Sequence, residues 1–475
     1  MSVFHAGEGN KRQGLFFVIF CLVVLINPFP LGSNRVWAWS FEAIIVSLLL
    51  LSMVLCSLFS NKCINWSPLK RMKTELVLIG SWFVANLLYL IPLPLGLLEI
   101  LSPTVAQAYK NIGVESGYLT LDLHATFSTL MLSLYYLSVF VLGTLLINSR
   151  YRIKVILTLF VILGLFEAVY GMYLVSMDKT GTLVQVTTVT PNNASGTFIN
   201  KNHLVAFLSI CFMSGLMLSR ILNCKKSEFA NSSFRIRFVR FVSDPLRLLD
   251  FCLFLILAGI WNTHSRAGLA SLLLSIFFLY AFVFFTRKNK SVKFNTIIMF
   301  FALGIVFLVL VADDINYLMK ILGQDSEDSV EFVVDSAKGR MLAVNQFFDN
   351  IGKYWFSGVG PGAYQVFFVN HRTVEQVAYF DHAHNDYIEF VTEYGLFSLI
   401  LLAIVAVFLY RIFMFIFRSE SRFYRIVGIC CISSIIYMLS HGTMDFNGRI
   451  PANVFAIIVV ISTIYGRIVM SKIKN

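Results

Sequence analysis

Charge is scarce in this chain. Only 13% of its 475 residues are Asp, Glu, Lys or Arg, whereas 57% are hydrophobic and the mean hydropathy is +0.76. A soluble chain carries roughly 25% charged residues, so this one cannot cover itself with polar surface. An ordinary soluble domain is excluded; a polytopic membrane protein is implied. Internal repeats and Pro/Ser-rich linkers are also lacking, so residues 1–475 read as a single transmembrane domain. The eight cysteines show no Cys/His zinc spacing and avoid the long polar segment late in the chain, so no disulfide framework is indicated. No Lys-Ser/Thr follows the glycine run Gly358–Gly362, which excludes a nucleotide-phosphate loop and leaves a sharp turn, with amides that would suit an anion. The formal charge of +12 is dispersed over short loops between apolar runs, so nucleic acid is not a partner.

What is present is apolar run after apolar run. A spanning helix needs about 20 such residues. Runs of that size occur at 15–32, 37–60, 75–95, 126–148, 153–176, 202–222, 248–264, 267–286, 294–312, 394–417, 425–443 and 452–470. The expected fold is therefore all-α and polytopic, with about twelve transmembrane helices. The first run follows Lys11-Arg12 but has no small-x-small cleavage site before Trp37, so it reads as a retained helix.

Alternate loops carry the bases: Lys70, Arg71 and Lys73; Arg150, Arg152 and Lys154; Arg287, Lys288 and Lys290; Arg418, Arg422 and Arg425. By the positive-inside rule those loops and both termini are cytoplasmic. The opposite side then holds a long loop near residues 313–393, partly helical and too polar for the bilayer, which would cap a site there. Within it Met341, Val344, Phe347, Phe348 and Ile351 recur at helical spacing, predicting an amphipathic helix over 338–351 ended by Gly352.

Chemistry-bearing residues gather on that outer side. His384, in Asp381-His382-Ala383-His384-Asn385-Asp386-Tyr387, has a side chain suited to take a proton from a hydroxyl near neutral pH; a structural interfacial histidine is the plain alternative. On a helix running into the next span, His384, Ile388, Val391 and Gly395 share one face and Asp386, Glu389 and Glu393 another. Arg266 sits between two apolar runs with almost no loop. The helix before it, 248–263, spans only ~24 Å of a ~30 Å core, which puts the guanidinium at or below the interface. There it either pairs with an anion such as phosphate or snorkels to headgroups.

Lys201 and His203 would add to a positive pocket or merely follow a cap made by the adjacent asparagines. His441, Asp445 and Arg449 would form a polar cluster, as packing or as site. His382 and His384 resemble a metal pair but lack a well-spaced third ligand, so no metal is expected. Glu167, alone in its span, is the residue type a proton-coupled transporter uses.

At these residues the chain resembles the bacterial O-antigen ligase and polymerase superfamily of membrane glycosyltransferases. The resemblance covers Pro191–Phe207, Ser265–Leu269, Gly339–Tyr364, His384–Phe397 and Asp445–Asn453. His384-Asn385, nine residues and then Gly395 reproduce the ligase spacing, whereas Gly395-Leu396-Phe397-Ser398-Leu399 lacks the threonines that follow in ligases. The resemblance implies an enzyme of the bacterial inner membrane working on the periplasmic side. It would move a glycan from undecaprenyl pyrophosphate to a hydroxyl of lipid A-core, in lipopolysaccharide biosynthesis. Alternative acceptors are a growing polysaccharide or exopolysaccharide, in a polymerase, and a protein side chain. His384 would be the base, Arg266 and Arg340 would hold the pyrophosphate, and Asn385 would support the site. No cofactor or metal is implied, and the anomeric centre would invert. Besides the donor and acceptor, membrane lipids are partners that the resemblance implies. A lipid-linked oligosaccharide flippase is the rival class; it would distribute charge through a central cavity.

Overall fold

A computed structural model describes residues 8–59, 64–177, 193–223, 245–286, 344–372 and 381–471. Among the described residues the fold is all-helical apart from a two-residue antiparallel ladder, Leu93 opposite Gly117 and Pro94 opposite Ser116. The helices used below are α1 Glu8–Ile26, α2 Val36–Phe59, α3 Lys73–Leu88, α4 Leu95–Leu101, α5 Pro103–Asn111, α6 Leu123–Leu146, α7 Arg150–Ser176, α8 Lys201–Leu222, α9 Pro245–Asn262 and α10 Arg266–Thr286. They continue with α11 (344–354), α12 Tyr364–His371, α13 Asp386–Tyr394, α14 Ser398–Arg418, α15 Arg422–His441 and α16 Pro451–Met470.

Among the described residues eight helices are long and apolar enough to cross a membrane, against the twelve expected. Three more apolar helices, α1, α3 and α9, stand at expected spans; α3 has only 16 residues. The expected span 294–312 lies outside the described residues. Cys56 is disulfide-bonded, where the sequence had indicated no disulfide framework.

The centre of the bundle is α8, which packs against α7, α9, α10, α15 and α16. Its sequence is apolar all round, as a helix without a solvent or lipid face should be. Small residues let the helices approach: a Cβ on Gly259 of α9 would lie 2.4 Å from that of Ala168 on α7. Side chains close the first turns. Asp122, Ser149 and Asn200 accept from Ala125, Arg152 and Asn202 N–H at the starts of α6, α7 and α8.

One end of the bundle carries a cap built from two distant stretches. Val105 of α5 shares a buried cluster with Tyr354, Val359, Tyr364, Phe367 and Phe368, so the 93–121 segment packs on the described part of the late loop. Of the amphipathic helix expected over 338–351, residues 338–343 lie outside the described residues; 344–354 are helical, and Gly352 lies inside the helix rather than ending it. A glycine costs a helix interior only about 1 kcal/mol, and burial of Tyr354 two residues onward carries the helix past it. It ends where Gly358 N–H bonds Tyr354 O at 2.7 Å and the chain enters the left-handed region, with φ +69° at Gly358.

Candidate active site

The glycine run fixes the base of the site. Val359 and Gly360 N–H donate to the carbonyls of Thr392 and Glu393 at 2.9 and 3.0 Å, and Gly362 N–H bonds Glu393. The amides therefore serve the C-terminal end of α13, and the anion they meet is internal. Gly360 has φ +104°, and a Cβ there would fall 1.9 Å from Thr120 Oγ1. Only glycine fits.

At the other end of α13 the turn 381–385 delivers His384. Asn385 caps the helix, its Oδ1 accepting from Tyr387 and Ile388 N–H at 3.0 and 3.1 Å, while its Nδ2 donates to Thr443 O at 2.9 Å. Asp386 accepts Gly448 N–H at 2.9 Å and donates its own N–H to Gly442 O at 2.8 Å. Contrary to the sequence expectation, His384 does not share a helical face with Ile388 and Val391. It stands before the cap with φ +48°, a conformation costing an L-residue about 1–2 kcal/mol. The capping asparagine decides this, because an N-cap residue and its predecessor leave helical geometry.

His384 Nδ1 meets Asp445 Oδ1 at 3.2 Å, and the same oxygen accepts Phe446 N–H at 2.9 Å. Asp445 is wholly buried. Burial alone would raise its pKa; the His384 hydrogen bond and the nearby imidazoles of His203, His384 and His441 outweigh that and hold the carboxyl well below the usual range. An ionised carboxylate only accepts, so the facing Nδ1 carries a proton, and in the neutral ring the lone pair then lies on Nε2.

Phe446 organises three imidazoles. His382 stacks on it at 4.1 Å and 17°, while His384 and His203 meet it edge-on at 5.0 and 4.7 Å. Behind them Arg449 enters α13: its Nε lies 3.0 Å from Glu389 Oε1, its Nη2 bonds Glu393 Oε2, and its guanidinium sits 4.1 Å over the Phe390 ring. These carboxylates raise the Arg449 pKa against the opposing effect of burial.

The structure brings His384, Asn385, Asp445 and His203 into one centre. The expected cluster of His441, Asp445 and Arg449 instead divides: Asp445 takes His384, Arg449 takes Glu389 and Glu393, and His441 Nδ1 meets Tyr437 Oη and Asn447 Nδ2 at 3.0 and 3.1 Å. Residue spacing on one helix end misled, because 442–450 is a turn whose side chains point to different elements. Arg266 begins α10 with an exposed side chain. Its turn is tied to the start of α8, where Lys201 Nζ donates to His264 O at 3.4 Å and Asn202 Oδ1 accepts Ser265 Oγ at 2.7 Å. Since His203 follows directly, Arg266 lies at the same end of the bundle as His384. Arg340 lies outside the described residues. Glu167 is a latch, with Thr197 N–H on Oε2 at 2.9 Å and Thr197 Oγ1 on Oε1 at 2.7 Å.

Residues 251–403 match the family model described as O-antigen ligase. The match supports membership in the O-antigen ligase and polymerase superfamily. A search of curated proteins found no match. The ligase-type segment contains Arg266, the glycine run, His382, His384, Asn385, Glu389 and Glu393. His203, Asp445, Phe446 and Arg449 lie outside it and are added by the fold.

Phe446 and the Arg449 pairing escaped the sequence reading. One signal was available: three carboxylates, Asp386, Glu389 and Glu393, at the start of an apolar run demand compensation. Nothing in the spacing named Arg449 as the partner, 56 positions from Glu393.

Proposed function

We propose that this ligase-type protein is a glycosyltransferase of the bacterial inner membrane, acting at its periplasmic face on an undecaprenyl-pyrophosphate-linked glycan. The observation that carries the reading is the His384–Asp445 pair at 3.2 Å, a base held in one tautomer by a buried carboxylate. The acceptor hydroxyl gives its proton to His384 Nε2 as its oxygen forms a bond to the anomeric carbon. The bond from that carbon to the pyrophosphate oxygen breaks, and lipid pyrophosphate departs with the electron pair. Arg266 and Arg340 hold the charge that develops there. Attack opposite the leaving group inverts the anomeric centre, and neither metal nor nucleotide sugar takes part.

Lipid A-core, a growing glycan and a protein side chain all offer the required hydroxyl, so the same machinery serves a ligase, a polymerase or a protein glycosylation enzyme. Against a proton-coupled flippase, the carboxylate inside α7 is engaged with Thr197 instead of facing a partner across a cavity. The test is His384→Ala in cells. Surface glycan disappears while lipid-linked precursor accumulates on the periplasmic side; accumulation on the cytoplasmic side overturns the proposal in favour of transport.

A further inference from the structure

Glu389 and Glu393 stand one turn apart on α13 and each is 1% exposed. Arg449 pairs with both, which leaves two buried carboxylates against one guanidinium. Buried charge is costly unless balanced. The remaining contacts of Glu389 come from the His384 turn: His382 Nδ1 lies 2.8 Å from Oε1, and Ala383 N–H donates to Oε2 at 3.0 Å. The ring of Phe446, stacked on His382, closes the opposite side. With both carboxylates ionised, one positive charge on His382 makes the group neutral.

We infer that His382 is held as an imidazolium and is the positioning residue of this site, balancing Glu389, Glu393 and Arg449 and thereby fixing the turn that presents His384. Its bearing on catalysis rests on the reading of His384 as the base. Two anchors hold the turn: His382 and Ala383 on Glu389, and Asn385 and Asp386 on residues 443 and 448. Phe446 touches both histidines, so loss of the first anchor is transmitted to the His384 ring as well as to its backbone. The left-handed backbone at His384 needs such over-determination.

The groups facing His382 are Glu389 on α13, Asp381 beside it, Arg449 after α15 and His203 on α8. Burial disfavours its charged form. The charge and hydrogen bond of Glu389, with Asp381, override burial and the opposing Arg449, raising the pKa to about 8. A histidine in the unfolded chain titrates near 6.5. The stabilisation is therefore complete below about pH 6.5 and lost as pH rises through about 8.

The experiment uses the full-length protein in lipid nanodiscs without substrate. Thermal unfolding is followed from pH 6 to 9.5 for the wild type, His382→Gln and His382→Gln/Glu389→Gln, and 15N-histidine spectra report the His384 tautomer. The wild type loses stability across pH 6.5–9, and His382→Gln is less stable at pH 6.5 and lacks that slope. In the double variant Glu393 and Arg449 balance each other, so stability and the Nδ1–H signal of His384 return towards wild type. A wild type without the slope, an unchanged slope in His382→Gln, or a double variant no more stable than the single one overturns the inference. Because no glycan is involved, these outcomes are separate from whether His384→Ala abolishes transfer.

Discussion

His384 Nδ1 and Asp445 Oδ1 lie 3.2 Å apart although 61 positions separate them in the chain. An asparagine in place of the carboxylate presents either an amide donor or a neutral acceptor, and the imidazole loses its fixed tautomer. Asp445→Asn should lower turnover about 100-fold or more, with substrate binding little changed, since positioned general-base catalysis contributes about 10²–10⁴. Transfer by purified protein from extracted lipid-linked glycan measures it; wild-type turnover in the variant refutes the dyad.

Arg266 tests the leaving-group side. Lysine keeps the charge but loses the planar fork that matches phosphate oxygens. Arg266→Lys should reduce kcat/KM at least about tenfold, roughly 1.4 kcal/mol, and leave the melting temperature unchanged. Full activity in this variant removes the bidentate role.

Gly360→Ala places a methyl group into Thr120 and forces alanine to φ +104°. Overpacking costs about 1–3 kcal/mol and the disfavoured backbone adds to it, so the variant should melt lower in nanodiscs. Alanine at Gly352, which has nothing within 4 Å, should be neutral or stabilising. Equal melting temperatures for the two alanine variants contradict the packing of the glycine run.

Acid stability follows from Asp445. Its folded pKa is depressed, so it contributes stability that is present above about pH 4, the ordinary aspartate value, and lost as pH falls through the folded value. Asp445→Asn should melt with a shallower decline below pH 4 than the wild type. An identical acid limb means that Asp445 is not held ionised.

Glu167→Ala strands the Thr197 N–H inside the bundle, at about 1–3 kcal/mol for an unsatisfied donor, while the Thr197 hydroxyl keeps the Pro28 carbonyl as its acceptor at 3.0 Å. The variant should lose stability while retaining measurable transfer when expressed at low temperature. Abolition of transfer at full stability would instead point to chemistry at Glu167.

The legible part of the fold was its class. Helices of this length announce themselves because a bilayer demands about 20 apolar residues in a row, and α2, α6, α7, α8, α10, α14, α15 and α16 fall where the runs do. His384, Asn385 and Arg266 were legible for a related reason, being polar residues at the ends of apolar runs. The helical-face reading of His384 failed because periodicity cannot register one asparagine that ends the helix and turns the preceding residue left-handed.

By itself, then, the sequence determined a polytopic helical protein with histidine and arginine side chains at one end of its bundle, since hydropathy is a property of consecutive residues. Only the tertiary structure decided which carboxylate serves which partner: Asp445 for His384, Glu389 for His382, Glu389 and Glu393 for Arg449. Those pairings depend on how helix ends meet after α8 is buried among its neighbours. A charge inside such a bundle must be answered by whatever packing brings within about 3 Å, and chain spacing holds no record of that distance.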